Sequence, residues 1–225
     1  MREGAVMVRR TRVKICGITN LTDALLAVEL GADALGFIFF RHSSRFIAPT
    51  TARLIIDQLP PFVTPVAVSV NESIAAVSEV MAISGCQIAQ LHGEEPPDFL
   101  YRLAWPAIKG VSIATMQDLA VLGRYQHARA LLLDTKVAGQ FGGTGTTFDW
   151  QLAREARKFG RPIVLAGGLA PENVVEALQV AQPDAIDVGS RIEREPGRKD
   201  HARMRELFAV IRAHEEARQG CSSEP

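Results

Sequence analysis

A single-domain (β/α)8 TIM barrel is the α/β fold this sequence predicts, and three observations carry that reading. Short apolar runs recur at 13–16, 34–39, 65–70, 88–91, 108–112, 130–134, 163–166 and 185–188, eight in all. Each is apolar on both faces, as strands of a parallel sheet covered on both sides are. Between the runs the apolar residues fall at helical spacing, so strand and helix alternate along the chain. The third observation is length: 225 residues suit one barrel with a core large enough to need no covalent staples. An open doubly wound sheet is the other arrangement such alternation allows. It calls for Gly-x-Gly-x-x-Gly after its first strand, which Cys16-Gly17-Ile18-Thr19 does not supply.

The first run, Val13-Lys14-Ile15-Cys16, sends Lys14 and Cys16 to one face and stops at Gly17. A helix is expected to open at Thr22 or Asp23 and to end at Gly31, a C-capping residue. Further helices are expected from 49 or 50, 73, 96 or 97, 116, 149, 171 and 200. The one at 171 opens on Pro171-Glu172-Asn173, with proline where a missing N–H costs least. These limits give a barrel domain over 12–212. The leader 1–11 has no apolar run long enough for a signal peptide, and the tail 213–225 is polar; both are expected to be poorly ordered.

Lysine plus arginine equals aspartate plus glutamate, 25 against 25, and no basic–aromatic stripe appears. Neither nucleic acid nor a membrane surface is therefore indicated as a partner. No run approaches the 18 or so apolar residues of a membrane span. Cys16, Cys86 and Cys221 are widely spaced, which argues against a disulfide framework or a zinc site and fits a reducing cytoplasm.

A barrel gathers its chemistry at the carboxyl ends of its strands. That mouth should collect Cys16, Arg45, Asn71, His92, Asp134, Gly167-Gly168 and Asp187-Val188-Gly189-Ser190. Asp134 ends a strongly apolar strand, where it either caps a loop or, partly desolvated, serves as a general acid. Cys16 is either a small buried residue or the complementary base, the latter if a nearby positive charge lowers its pKa. Gly167-Gly168 after the seventh strand and Gly189-Ser190 after the eighth offer backbone N–H groups to an anion. Arg45 is a surface residue by default, and in the mouth its planar fork suits a carboxylate. The glycine-rich loop 139–147 lacks the Gly-Lys-Ser/Thr ending of a nucleotide loop and reads as a lid or a plain connection. One acid and one base facing one pocket suit an isomerisation of a small phosphorylated molecule, with neither metal nor cofactor.

These residues, in order, resemble the phosphoribosylanthranilate isomerase family of tryptophan biosynthesis over roughly 12–210. The resemblance rests on Lys14-Ile15-Cys16-Gly17-Ile18-Thr19, Gly36-Phe37-Ile38-Phe39, Val70-Asn71-Glu72 and Gln90-Leu91-His92-Gly93. It continues through Leu132-Leu133-Asp134-Thr135, Gly142-Gly143-Thr144-Gly145, Phe148-Asp149-Trp150, Ala166-Gly167-Gly168-Leu169, Pro171-Glu172-Asn173-Val174, and Pro196-Gly197 with Lys199-Asp200. It implies a cofactor-independent Amadori rearrangement with Asp134 as general acid and Cys16 as general base. By the same resemblance Arg45 would hold the anthranilate carboxylate. Gly167, Gly168, Gly189 and Ser190 would hold the phosphate, with Asp187 near the sugar. Monomer or homodimer is the expected assembly. The departure from the family is Arg191 in Asp187-Val188-Gly189-Ser190-Arg191-Ile192-Glu193, where the family carries glycine. If that position needs φ > 0, arginine there is strained by about 1–2 kcal/mol; it then either adds charge to the phosphate site or turns to solvent. This loop leaves two other readings open, a paralogue acting on another phosphorylated aminosugar and a non-catalytic phosphate-ligand barrel.

Overall fold

The computed structural model describes residues 10–135 and 149–221. Eight parallel strands close on themselves in chain order: β1 Arg12–Cys16, β2 Ala34–Ile38, β3 Thr64–Ser69, β4 Ile88–Leu91, β5 Ala107–Ile113, β6 Ala130–Thr135, β7 Ile163–Leu165 and β8 Ala185–Val188. Strand β1 pairs with both β2 and β8, which closes the barrel and sets Cys16 opposite Gly36 and Lys14 opposite Asp187.

The two-residue period of a strand sorts these side chains. Outward-facing Ile15, Leu35, Phe37, Leu131, Leu133 and Ile186 are fully buried under the helices. Each such side chain contributes about 1.5–3 kcal/mol of burial before chain entropy is charged against it. Inward-facing Ile108, Leu132, Val164 and Ala166 fill the barrel's interior. Two residues beyond Leu132 along the same face comes Asp134, so the acid projects inward above an apolar plug.

The helices are α1 Leu21–Leu30, α2 Pro49–Ile56, α3 Ile74–Ser84, α4 Pro97–Arg102, α5 Trp150–Ala156, α6 Val174–Ala181 and α7 His201–Cys221. Helix α1 starts where Asn20 Oδ1 accepts the Asp23 N–H, and it ends at Gly31 with φ 107°, as the glycine foretold. Its buried face carries Ala24, Leu26 and Ala27. Pro171-Glu172-Asn173 forms a turn ahead of α6 rather than its first turn.

Other differences from expectation have local causes. Residues Met116–Arg124 wind as a 3-10 helix, fastened at Thr115 by a capping box with Asp118. After β8 a charged hairpin appears, β9 Glu193–Glu195 and β10 Arg198–Lys199, turning at Gly197 with φ 79°. Strands so short and polar leave no period to detect. The tail 213–225, expected to be poorly ordered, is instead helical as far as Cys221 in α7, and the Thr11 N–H donates to Glu215 Oε1 at 2.7 Å. That bond ties the helix to the start of β1. The expected lid 139–147 lies outside the described residues. Among them, no helix is long and apolar enough to cross a membrane.

Candidate active site

The carboxyl ends of the strands open into a cavity of about 690 Å³. Cys16 and Asp134 both line it, from strands on well-separated sides of the ring. Arg45, Gly167, Gly168, Asp187, Gly189, Ser190 and Arg191 line it as well. His92 joins them, while Asn71, also expected at the mouth, is absent from the lining. The Asn71 side chain instead accepts the Glu94 N–H at 2.6 Å and its N–H donates to Glu95 at 2.9 Å, with φ 54°. It locks the loops after β3 and β4 together.

At one wall Lys14 Nζ lies 2.8 Å from Asp187 Oδ1, both side chains nearly sealed from solvent. Lys14 and Cys16 lie on the same face of β1, both beside Gly36. Gly36 makes the room: a Cβ there would come within 2.8 Å of Cys16 Sγ and 3.0 Å of Lys14 Nζ. Burial pushes the Cys16 thiol above its ordinary range, and the Asp187 carboxylate adds to the rise. Lys14 and, more remotely, Lys199 pull it down and are outweighed. The positive neighbour on which a lowered thiol pKa is conditional is present in Lys14, but burial, with Asp187 adding to it, outweighs its pull. For Lys14, burial favours the neutral amine, yet Asp187 and Cys16 prevail and raise its pKa. The ammonium form is therefore held.

Across the cavity the buried Asp134 has Oδ2 at 3.3 Å from His92 Nε2, close enough for ionic attraction although the atoms are not aligned for a hydrogen bond. Gln90 Nε2 sits 3.0 Å from His92 Nδ1. If the amide donates there, the imidazole proton is placed on Nε2, facing Asp134. Gly110 leaves space for this ring, since a Cβ would meet His92 Nδ1 at 2.8 Å. Below the loop, on the outer face of β5, buried Lys109 pairs with Glu95 at 2.8 Å and donates to Gly93 O at 2.5 Å.

A glycine turn follows β7. Gly167 and Gly168 have φ of 86° and 64°, conformations that side chains resist, and successive turns of this hand present backbone N–H groups to one side. Asn173 staples the turn, accepting the Ala170 N–H at 2.8 Å and donating to Gly168 O at 3.0 Å. After β8, residues Ser190–Ile192 form a 3-10 turn. Arg191 there is exposed at the cavity edge, and it is not among the non-glycine residues with positive φ. Its condition for strain is not met.

Arg45 enters the cavity already held. Its Nε and Nη2 donate to Glu193, the shortest contact being 2.7 Å. Glu193 is also paired with the buried Lys199 at 2.8 Å, and Lys199 donates to Cys16 O at 2.6 Å and Gly189 O at 3.2 Å. Burial lowers the Lys199 pKa even against the pull of Glu193. One ammonium therefore joins the end of β1, the loop after β8 and the support of Arg45.

Sequence reasoning gave no role to Lys14, Gln90, Glu193 or Lys199. For Lys14 a signal existed, a lysine alternating with the cysteine inside an otherwise apolar strand. Glu193 and Lys199 come from the hairpin and could be placed only by the fold.

A closed eight-stranded parallel barrel whose mouth is lined by a carboxyl, a thiol and the glycine turn after its seventh strand defines a class, the (β/α)8 barrel proteins with a cavity at the carboxyl ends of the strands. Within that class the chain belongs to the phosphoribosylanthranilate isomerase family, since the family model described as N-(5'phosphoribosyl)anthranilate (PRA) isomerase matches residues 13–210. The N-(5'-phosphoribosyl)anthranilate isomerase of Geobacter metallireducens is 47% identical over 204 residues, covering 90% of this chain and 99% of that protein. The crystal structure of the Thermotoga maritima phosphoribosyl anthranilate isomerase superposes with a TM-score of 0.85 at 42% identity, covering 90% of this chain and 99% of that one. Another solved isomerase, in complex with reduced 1-(o-carboxyphenylamino)-1-deoxyribulose 5-phosphate, gives a TM-score of 0.82 at 41% identity over the same shares.

Proposed function

We infer that this chain converts N-(5'-phosphoribosyl)anthranilate into 1-(2-carboxyphenylamino)-1-deoxyribulose 5-phosphate, a step of tryptophan biosynthesis. The observation that carries the reading is the shared cavity, in which Cys16 and Asp134 face one space beside the Gly167-Gly168 cradle. In this reading the cradle, Gly189 and Ser190 bind the phosphate, Arg191 adds a charge at its edge, and the free edge of Arg45 takes the anthranilate carboxylate. Asp187 lies against the sugar.

Asp134 donates its proton to the ribose ring oxygen as the C1–O bond breaks, and the anthranilate nitrogen lone pair forms the Schiff base. The Cys16 thiolate then takes the C2 proton, and that bond's electrons become the C1=C2 bond of an enolamine while the iminium charge is cancelled. Tautomerisation gives the ketone. Substrate and product are isomers, so no net proton, water or electron is consumed and the chemistry calls for neither metal nor cofactor. Apolar Ile38, Val68 and Val70 on the cavity wall limit water near the reacting carbons.

The loss of phosphoribosylanthranilate fluorescence tests this directly. Wild type is expected to turn over and to complement a tryptophan auxotroph lacking the step. Asp134→Asn and Cys16→Ser should each lose about 10²–10⁴-fold in kcat with the fold intact. Near-normal turnover in both variants would remove the acid–base assignment, and an inactive but folded wild type would remove the function. The same reading places the enzyme in the cytoplasm as a monomer or homodimer, which fractionation and sedimentation would check.

A further inference from the structure

We propose that Lys14 is the positioning residue that stabilises the charged form of Cys16, and that Asp187 opposes it, so that this pair meters how much thiolate the site holds. The inference rests on the reading of Cys16 as the general base, and it goes further by naming what sets that base. Its geometry lies where β1 runs between β2 and β8. Lys14 and Cys16 share one face of β1, Lys14 Nζ is 2.8 Å from Asp187 Oδ1, and the space left by the missing side chain of Gly36 is bordered by both Cys16 Sγ and Lys14 Nζ. Lys14 is 5% exposed in its side chain and Asp187 7%, so water screens their influence on the sulfur poorly.

The other charges near Cys16 are placed differently. Lys199 meets the backbone oxygen of Cys16 rather than its sulfur and is already paired with Glu193. Arg45 is committed to Glu193. Asp134 and His92 lie across the cavity. Lys14 is the ammonium on the thiol's own face. Because Asp187 accepts a hydrogen bond from the Lys14 ammonium, a ligand hydroxyl that donates to Asp187 would weaken that bond and turn more of the Lys14 charge toward sulfur. Occupancy of the sugar site is thereby coupled to generation of the base.

The test reads the thiol without relying on turnover. Iodoacetamide alkylation of Cys16, which lines the cavity, is followed against pH in a Cys86→Ala/Cys221→Ser background. Lys14→Gln should slow alkylation at fixed pH by about tenfold or more, the change in thiolate fraction that one unit of pKa gives. Asp187→Asn should speed it. Opposite signs are the mark of the device, because a merely structural role would move both the same way. If Lys14→Gln fails to fold with Asp187 left unpaired, Lys14→Met/Asp187→Asn compared with Asp187→Asn decides. A slower double variant supports the proposal, and equal rates overturn it. Unchanged pH profiles in both folded single variants overturn it too, whereas an inactive wild type would instead strike at the isomerase reading.

Discussion

Gly36→Ala is the sharpest perturbation of the site that leaves every ionisable group in place. The added Cβ would stand 2.8 Å from Cys16 Sγ and 3.0 Å from both Cε and Nζ of Lys14. Optimal non-bonded separations are about 3.5–4.0 Å, so the sulfur or the strand must retreat by about 1 Å. Neither has an easy route, since Lys14 is tied to Asp187 and the Cys16 carbonyl to Lys199. Overpacking of this kind costs about 2 kcal/mol of stability, or about 4–8 °C in Tm for a domain this size. A 1 Å misplacement of a reacting group costs about 10²-fold in rate, equivalent to about 2.7 kcal/mol of barrier. The assay is kcat/KM for phosphoribosylanthranilate beside a thermal melt. Gly123→Ala serves as the control, because its Cβ would meet only the Phe159 ring at 3.6 Å, far from the cavity lining. If Gly36→Ala kept kcat/KM within about twofold of wild type, the claim that Cys16 and Lys14 need that slot would be refuted.

Glu193→Gln removes the one carboxylate shared by Arg45 and Lys199. It should cost about 3 kcal/mol, or about 6–12 °C in Tm, and raise KM more than it lowers kcat as Arg45 loses its orientation. Equal KM values would detach Arg45 from ligand binding. Arg191→Gly, at the exposed cavity edge, should raise KM about two- to fivefold and flatten its salt dependence, while leaving kcat unchanged; no change in either would place Arg191 in solvent only. Burial pushes the Asp23 carboxyl upward, but the Lys199 N–H and the His201 and Asn20 side chains win and hold it below its ordinary value. A group depressed in this way stabilises the fold above its unfolded pKa, about 3.9, and loses that contribution as pH falls through the lower folded value. Asp23→Asn should therefore be less stable than wild type near neutrality, with the gap closing below about pH 4 in urea melts. Burial pushes the Cys86 thiol up to about 11 and keeps it out of the cavity lining, whereas Cys16, also raised, opens onto the cavity, so Cys86 should be alkylated more slowly than Cys16. Comparable labelling of both would contradict the cavity's exposure of Cys16.

Much of the barrel was legible because the information lay in runs of neighbours. Eight apolar segments fell within a residue or two of the eight strands, and Gly31 ended α1 where a left-handed cap was needed. The mouth was legible for the same reason, since parity along a strand fixes which side chains point inward. Parity failed where loops bend back, as at Asn71, which closes a loop instead of facing the cavity. The period also hid the 3-10 turn at Met116–Arg124 and the two-strand hairpin, because neither contains enough residues to show a repeat. The polar tail misled in the opposite direction. Helix α7 persists through Glu215 because that carboxylate finds the Thr11 N–H across the molecule.

The sequence alone determined the strand count, the family resemblance, and that a thiol, a carboxyl and a glycine pair would stand at the ends of strands. Tertiary structure decided the electrostatics. That Cys16 is pushed up rather than down rests first on its burial in the closed barrel and then on Asp187, 171 positions away along the chain, standing beside Lys14 once β8 closes against β1. Likewise, the seating of Arg45 depends on Glu193 and Lys199 meeting it from a hairpin the apolar pattern does not record. Hydrophobic periodicity is a local property of the chain, whereas a pKa is fixed by charges and solvent exclusion within a few ångströms, and only closure of the ring brings those together.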